Sequence, residues 1–445
     1  MIVAFHTLGC KLNQYETESL AEAFRSQGFD VGGGDRRAGL YIVNTCTVTS
    51  KSEQKARRII RGFAQEDAVV IATGCYAEVD APALARLADN VVVIPQRLKG
   101  IIHKLPSFLN SLPAFHELDP AVRKRHMARF VAAYQDRPNR RFEYQVSSFS
   151  FHSRAFLKIQ DGCDYGCSYC RIPQARGPSV CLAPEVVVRR FEDLAAGGYR
   201  EIVLTGVNIG AYRSGGCDLG GLLEQLLGLH LPPRIRLSSL EPERIDENLV
   251  RILSHGQICP HFHIPVQSGS DRILAAMKRR YGAERVIRSA SLLRSARPGA
   301  FVAADLIVGF PGEGREDFEA TRRLIGRIEP ARLHVFPFSP RPGTAAFEMQ
   351  PQVAAGVKKN RVRDLIELSD RRLEEYSTSW LGRTVEAVLE GGHPPDGYAQ
   401  GVSENYLKLE ISHVPREDFR ANSVVACRIE RSGKPCRARF LEYCA

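Results

Sequence analysis

The 445-residue chain predicts an α/β fold in three parts: an N-terminal parallel-sheet domain, a central parallel barrel or part of one, and a small antiparallel β-barrel at the C-terminus. Three observations predict it. From residue 1 to about 350, apolar strand-like runs alternate with helical stripes, the pattern of strand–helix–strand units. Strand ends in the first two parts carry cysteines, which marks one sheet edge as a place of chemistry. After Gly382 the helical stripes stop, and short β-type runs punctuated by glycine and proline replace them.

Residues 1–115 are read as the first domain. Ile2–His6, Tyr41–Asn44 and Val69–Ala72 read as short buried strands, with Glu16–Gln27 and Glu53–Phe63 as amphipathic helices between them. The strands end alike, in Thr7-Leu8-Gly9-Cys10, Asn44-Thr45-Cys46 and Thr73-Gly74-Cys75. Parallel strands place their C-terminal ends on one edge, so Cys10, Cys46 and Cys75 should converge there. Each alone could be a small buried residue. Three in equivalent positions suggest a three-cysteine cluster site.

Residues 116–150 show a weak pattern and read as a basic linker. Between 121 and 145 there are seven basic residues (Arg123, Lys124, Arg125, Arg129, Arg137, Arg140, Arg141) and two acidic ones, net +5. Such a stretch is either a solvated linker or an electrostatic contact with RNA phosphates.

Residues 151–376 hold six strand-like runs: Ala155–Gln160, Glu201–Thr205, Arg234–Ser238, His261–Val266, Phe301–Val308 and Arg332–Phe336. Helical segments such as Pro184–Ala196, Asp271–Arg280 and Glu316–Ile328 separate them, which predicts a parallel barrel or part of one. A helix over 357–376 trails it. In 377–445, Thr384–Leu389, Tyr406–Ile411, Val424–Ile429 and Arg437–Leu441 predict a small barrel of the oligonucleotide-binding type. Arg428, Arg431, Lys434, Arg437 and Arg439 form a local basic patch on it.

The run Cys163-Asp164-Tyr165-Gly166-Cys167-Ser168-Tyr169-Cys170 follows the first strand of the central part. Three thiolates on one short loop can hold a four-iron cluster and leave one iron open for a small molecule. A zinc knuckle is the alternative. It wants four ligands in paired spacings, whereas the next cysteine is Cys181, beyond Pro173 and Pro178, with no histidine between. Twelve cysteines in a chain of this size read as reduced and metal-binding, which predicts a cytoplasmic protein. No apolar run is long enough for a membrane span, and Met1–Thr7 lacks the basic start of a signal peptide. The formal charge of +11 leans towards a polyanionic partner.

The Cys-x3-Cys-x2-Cys spacing resembles the signature of the radical S-adenosylmethionine (SAM) enzymes, and six strand–helix units fit their partial (β/α)6 barrel. Within that superfamily the chain resembles the methylthiotransferases. Thr7–Thr17, Asn44–Val48 and Thr73–Cys75 are similar to that family's three N-terminal motifs. Gln160–Cys170, Ile172–Gly177, Asp305–Glu313 and Phe338–Thr344 are similar to its central segments, and the terminal barrel to the TRAM RNA-binding domain. Leu8–Thr17 looks most like the branch acting on N6-threonylcarbamoyladenosine in tRNA; the neighbouring branches act on isopentenyladenosine in tRNA or on a ribosomal-protein aspartate. Two departures stand out. Arg171 occupies a place that is usually apolar, and Ser270 one that is often cysteine.

The resemblance implies two [4Fe-4S] clusters, one on Cys163, Cys167 and Cys170 and one on Cys10, Cys46 and Cys75, with SAM bound at the first. An electron would cleave SAM to a radical that takes hydrogen from carbon 2 of an adenine in the tRNA anticodon loop, and the second cluster would supply sulfur. An electron donor such as a flavodoxin or ferredoxin and a sulfur source are implied as partners. Tyr169 is expected near the SAM adenine and Thr205, Gly206 and Asn208 near its amino group, or at a plain strand-ending turn. Ser238, Ser239 and Glu241 are candidates for its ribose or for a helix cap. His261 and His263 share a strand face and read as packed or substrate-contacting, with a metal pair as the alternative. Gly309–Glu313 reads as a rim loop. Cys181, Cys217, Cys259, Cys427, Cys436 and Cys444 have no expected role. A plain iron–sulfur electron carrier and a zinc-stabilised RNA-binding protein are the non-catalytic alternatives.

Overall fold

A computed structural model gives the architecture and describes all residues except 113–114, 135–140, 392–396, 416, 418 and 445. Arg137 and Arg140 of the basic stretch, and the turn residues from Gly392 to Asp396, lie outside the described residues. The N-terminal sheet has five parallel strands in the order Asp30–Gly33, Ile2–Thr7, Leu40–Thr45, Val69–Gly74, Val91–Pro95. The three expected strands form its centre, and both edges are additions. Asp30–Gly33 is short and glycine-rich. Val91–Pro95 ends in a proline, which an edge strand tolerates. Helices Lys11–Arg25 and Ser50–Ala64 are the two expected ones. Thr49 caps the second by accepting from the Ser52 N–H.

The central part has six parallel strands. Ala155–Lys158, Glu201–Thr205 and Arg234–Leu237 pair in that order, as do His261–Gln267, Phe301–Val308 and Arg332–Pro337. Parallel bridges Ile235–Ile258 and Ser239–His263 join the two halves. Among the described residues no pairing closes the first strand on the sixth, so the barrel is open, as expected for a partial one. One apolar core runs without interruption from Val3 and Phe5 of the N-terminal sheet to Leu157, Val203 and Leu306 of the barrel strands.

The stretch read as a linker contains a helix, Pro120–Tyr134. Its buried stripe is Arg123, Met127 and Phe130, and the Arg123 guanidinium donates to the Asp67 carbonyl at 3.1 Å and pairs with its carboxylate. Arg123 is therefore a packed residue, while Arg125 and Arg129 are exposed.

Helix Ala355–Thr378 leads to a closed five-stranded barrel. Its strands are Thr384–Glu390, Tyr398–Ser403, Lys408–Ser412, Val424–Arg431 and Cys436–Tyr443, one more than expected. Four of its pairs are antiparallel, as expected, and one, Lys408–Ser412 with Cys436–Tyr443, is parallel. A ring of five strands cannot alternate direction all the way round, so closure forces one parallel seam. This barrel covers the N-terminal ends of the central strands. Tyr406 stacks on His261 at 4.0 Å and lies under the guanidiniums of Arg236 and Arg154 at 5.1 and 5.8 Å. Buried Glu201 holds Arg234 at 2.8 Å and Arg236 at 2.7 Å, and these arginines reach the Val402, Ser403 and Glu404 carbonyls. No helix among the described residues is long and apolar enough to cross a membrane.

The first two domains are pinned by a buried ionic network. Glu16, on the first helix, accepts from Lys99 at 2.6 Å, Lys158 at 2.9 Å and Arg176 at 3.0 Å. Asp161 accepts from Lys158 at 2.6 Å and Arg176 at 2.9 Å. Burial alone would raise the Glu16 pKa, but Arg176, Lys158 and Lys99 outweigh it and hold the carboxyl well below its usual range. A depressed carboxylate contributes stability above its unfolded pKa and loses it as pH falls through the folded one. Glu16→Gln leaves three buried cations facing one carboxylate and should cost about 3–5 kcal/mol in chemical denaturation at neutral pH; a cost near zero would show that the network does not hold the two domains together.

Candidate functional site

The structure brings Cys10, Cys46 and Cys75 to one edge of the N-terminal sheet. Asn13 ties their loops together: its Nδ2 donates to the Leu8 carbonyl at 2.7 Å and the Thr45 carbonyl at 3.1 Å. Thr45 Oγ1 donates to the Thr73 carbonyl at 2.5 Å. Gly9, at φ +103°, lets the Cys10 loop approach; a Cβ there would sit 2.8 Å from Cys46 Cβ and 3.0 Å from its Sγ. Cys46 and Cys75 are buried and Cys10 is exposed. Burial pushes the Cys46 thiol up to about 12, and the nearby Cys75 and Cys10 add to the rise. Three thiols gathered on one open sheet edge could hold an iron–sulfur cluster, whose binding would require them as thiolates.

The second triad sits at the C-terminal end of the first barrel strand. Gly162, at φ +73°, is the glycine before it, and a Cβ there would collide with the Pro178 carbonyl. The loop is anchored by the Cys163 N–H to the Gly177 carbonyl at 3.1 Å and the Ser168 N–H to the Met277 carbonyl at 3.1 Å. Ser168 Oγ adds a bond to the Ala276 carbonyl at 2.8 Å. Two donors already face the sulfurs: the Ile172 N–H to Cys170 Sγ at 3.4 Å and Arg279 Nη1 to Cys167 Sγ at 3.2 Å. Such N–H···S contacts stabilise thiolates that hold a cluster. Burial raises Cys170 to about 12, with Cys167 and Cys163 contributing.

Beside this loop lies a cradle of unmet polar groups. Asn208 is buried, and neither atom of its side-chain amide has a hydrogen bond of ordinary geometry. The same holds for Tyr165 Oη, Ser238 Oγ, both Glu243 oxygens and Arg244 Nε. Asn208, Glu243 and Arg244 are close enough to act on Tyr165. Polar side chains gathered in this way, with only poorly aligned contacts to one another, suit a polar ligand such as SAM. Thr205 is buried at the strand end, and a Cβ on Gly206 would meet Gln160 Oε1 at 2.8 Å. Glu241 pairs with Arg279, yet burial lifts it to about 7. Ser270 caps helix Asp271–Ala276 and donates to Asp317 at 2.7 Å, so this departure has a structural use.

A cavity of about 230 Å³ separates the two triads. Thr47, Val48 and Thr49, next to Cys46, form one side; Tyr169, Cys170, Arg171 and Ile172 form another; Gln267, Asp305, Ile307 and Phe336–Ser339 complete it. Tyr169 thus faces the cavity beside the second triad. His263 is drawn to Asp305, Nε2 to Oδ1 2.7 Å, and with His334 they form a group whose polar atoms lie within 4.8 Å of one another. His261 is apart from them, stacked on Tyr406. Sequence reading missed Arg279, Tyr165, Glu243 and Arg244 as neighbours of the cysteine loop; the basic run Lys278-Arg279-Arg280 ahead of Tyr281 was the available signal. The six remaining cysteines join neither triad.

Residues 157–325 match the Radical SAM superfamily and residues 2–95 the Uncharacterized protein family UPF0004. The chain is 37% identical to the threonylcarbamoyladenosine tRNA methylthiotransferase MtaB of Treponema pallidum, over 97% of this chain and 98% of that protein. It is 34% identical to the MtaB of Bacillus subtilis, over 97% and 94%. Among solved structures, the radical SAM methyltransferase TsrM of Kitasatospora setae with cobalamin and a [4Fe-4S] cluster is similar in fold, with TM-score 0.55 and 16% identity over 78% of this chain and 77% of that one. Asn208→Leu keeps the branched shape but removes the buried amide. It should weaken SAM binding about tenfold in equilibrium dialysis of the cluster-loaded protein; unchanged affinity would remove Asn208 from the cofactor site.

Proposed function

The chain belongs to the radical SAM methylthiotransferase family, and we propose that it methylthiolates carbon 2 of N6-threonylcarbamoyladenosine next to the anticodon of tRNA. As a radical SAM enzyme it uses SAM and a [4Fe-4S] cluster. The observation that carries the finer reading is the cavity walled on one side by neighbours of Cys46 and on another by Cys170. In this reading Cys163, Cys167 and Cys170 hold the SAM-binding cluster, and Cys10, Cys46 and Cys75 hold a second one.

Carbon 2 of an adenine carries no acidic proton, so acid–base side chains cannot open that C–H bond; when bound, SAM and the clusters supply the radical and sulfur chemistry. The protein's task is placement and exclusion of water. Asn208, Tyr165, Glu243 and Arg244 receive SAM beside Cys163, Cys167 and Cys170. Val48, Ile172, Ile307 and Phe338 give the target base apolar walls. Phe336, 42% exposed at the cavity, offers a ring face on which a splayed loop base can stack. A flavodoxin- or ferredoxin-like donor and a sulfur source complete the cycle.

The terminal barrel supplies RNA contacts in the same reading. Arg428 lies directly opposite Arg439, and Arg431 opposite Arg437, on adjacent strands. Cys427, Ile429, Cys436 and Ala438 point into the barrel core, alternation puts Arg428, Arg437 and Arg439 on its outer face, and an irregularity between Ile429 and Arg431 brings Arg431 out beside Arg437. Like charges directly opposed across strands destabilise a sheet; Glu410 offsets Arg437 at 3.5 Å, and an anion over Arg428 and Arg439 would relieve the other pair. A phosphate backbone is such an anion.

The function is tested by nucleoside mass spectrometry of tRNA from cells lacking this protein. The methylthio form of threonylcarbamoyladenosine should disappear and return with the wild-type chain, but not with Cys163→Ala or Cys46→Ala. Loss of the methylthio isopentenyl nucleoside instead would move the enzyme to the neighbouring substrate. Anaerobically loaded protein should carry about eight irons, and Cys163→Ala should keep about four while forming no 5′-deoxyadenosine; zinc in place of iron would defeat the proposal. Replacing Arg428 and Arg439 by alanine should weaken tRNA binding and lower the slope of log affinity against log salt by about one to two. An unchanged slope would take this face out of the RNA contact.

A further inference from the structure

One wall of the cavity between the triads is not accounted for by radical generation or sulfur transfer. Glu53, buried on helix Ser50–Ala64, has three donors on the same Oε1: Thr47 Oγ1 at 2.5 Å, Arg171 Nη1 at 3.4 Å, and Arg341 Nη2. Two guanidiniums therefore share one carboxylate, with Asp80 the next acidic group near Arg171. Arg341 is 3% exposed and its Nε has no hydrogen-bond partner. Arg171 lines the cavity, and its own bonds are long, 3.4 Å to Glu53 and 3.4 Å to Gln174 Oε1. A guanidinium has five N–H donors, so most of the Arg171 fork is available. The cavity's other charged lining residue, Asp305, is taken up by His263 at 2.7 Å. Apolar side chains of Val48, Ile172, Ile307 and Phe338 fill much of the remaining wall. The space suits a flat ring carrying an anionic arm.

We propose that Arg171, seated on Glu53 beside Arg341, is a carboxylate-binding subsite that grips the free carboxylate of the threonyl arm and selects this nucleoside over those with an uncharged N6 substituent. The inference rests on the threonylcarbamoyladenosine reading above and adds the residue that enforces it. A threonyl group joined through its nitrogen keeps its carboxylate, and a planar guanidinium fork matches a carboxylate with two parallel bonds. Glu53 supplies the counter-charge that holds both arginines in place without satisfying them. An isopentenyl arm would leave the Arg171 donors desolvated and unpaired, and sites of this kind reject analogues that lack the polar partner.

The test uses the full chain with its clusters and anticodon stem-loop RNAs carrying either N6-threonylcarbamoyladenosine or its threonyl methyl ester. Affinity by fluorescence anisotropy and kcat/KM are both expressed as the ratio of acid to ester, which cancels differences in folding and cluster loading. The wild type should favour the acid about 10- to 100-fold. Arg171→Leu should bring the ratio near one, Arg171→Lys should keep part of it, and Arg341→Lys should lower it less than Arg171→Leu does. A wild-type ratio retained by Arg171→Leu, or a wild type that treats acid and ester alike, overturns the subsite and leaves the substrate reading standing. A wild type that methylthiolates an isopentenyl-modified loop and ignores the threonylcarbamoyl one overturns the substrate reading, and the subsite with it.

Discussion

Everything near the chemistry hangs on one buried ionic network of three cations and two carboxylates. Burying charge is costly, and it persists only where geometry pairs every group. Here the pairing residues are also the flanks of the two triads. Glu16 lies six residues after Cys10, Asp161 two before Cys163, and Arg176 six after Cys170. A shift of one domain against the other would strand buried charge, so the two cysteine loops are locked in register. The network also carries one more positive charge than negative. Arg176 feels Cys75 and Cys10 directly, and Lys99 feels Cys75. Surplus cation beside Cys46 and Cys75 works against the rise that burial imposes on their thiols. Structural clamping and electrostatic preparation are thus done by the same side chains.

The terminal barrel shows a second use of buried charge. Glu201 holds Arg234 and Arg236 at the opposite end of the central strands, and those arginines bind backbone carbonyls of the neighbouring domain. In both places an arginine bridges domains by filling carbonyl or carboxylate acceptors that would otherwise be buried unmet. The two networks sit above and below the barrel, so its ends are fixed by ionic contacts and its walls by apolar packing.

Much of this was legible in the chain because the chemistry recurs at strand ends. Cys10, Cys46 and Cys75 each follow a strand of one parallel sheet, so topology alone brings them to one edge. The six central strands were legible as apolar runs at regular spacing. Helix Pro120–Tyr134 was not, because its buried stripe begins with Arg123, an ionic anchor that looks like a solvent residue in sequence. Edge strand Asp30–Gly33 was missed because it is short and half glycine, and strand Tyr398–Ser403 because Gln400 and Gly401 break its apolar pattern. The cradle of Tyr165, Asn208, Glu243 and Arg244 draws on three separate strand-to-helix connections, and no local pattern records that convergence. Arg171 was visible as an oddity; only its shared grip on Glu53 gives the oddity a chemical meaning.

The plug formed by Tyr406 has a consequence for where the terminal domain can sit. Its ring touches His261 at the start of the fourth strand, lies under Arg236 of the third and Arg154 ahead of the first, and approaches Phe301 of the fifth at 6.1 Å. That covers the barrel from below, at the end away from the rim where the cysteine loop sits. The contact that fastens the terminal domain therefore also keeps it clear of the cysteine loop: a module can be hung on one end of an open barrel without crowding the other.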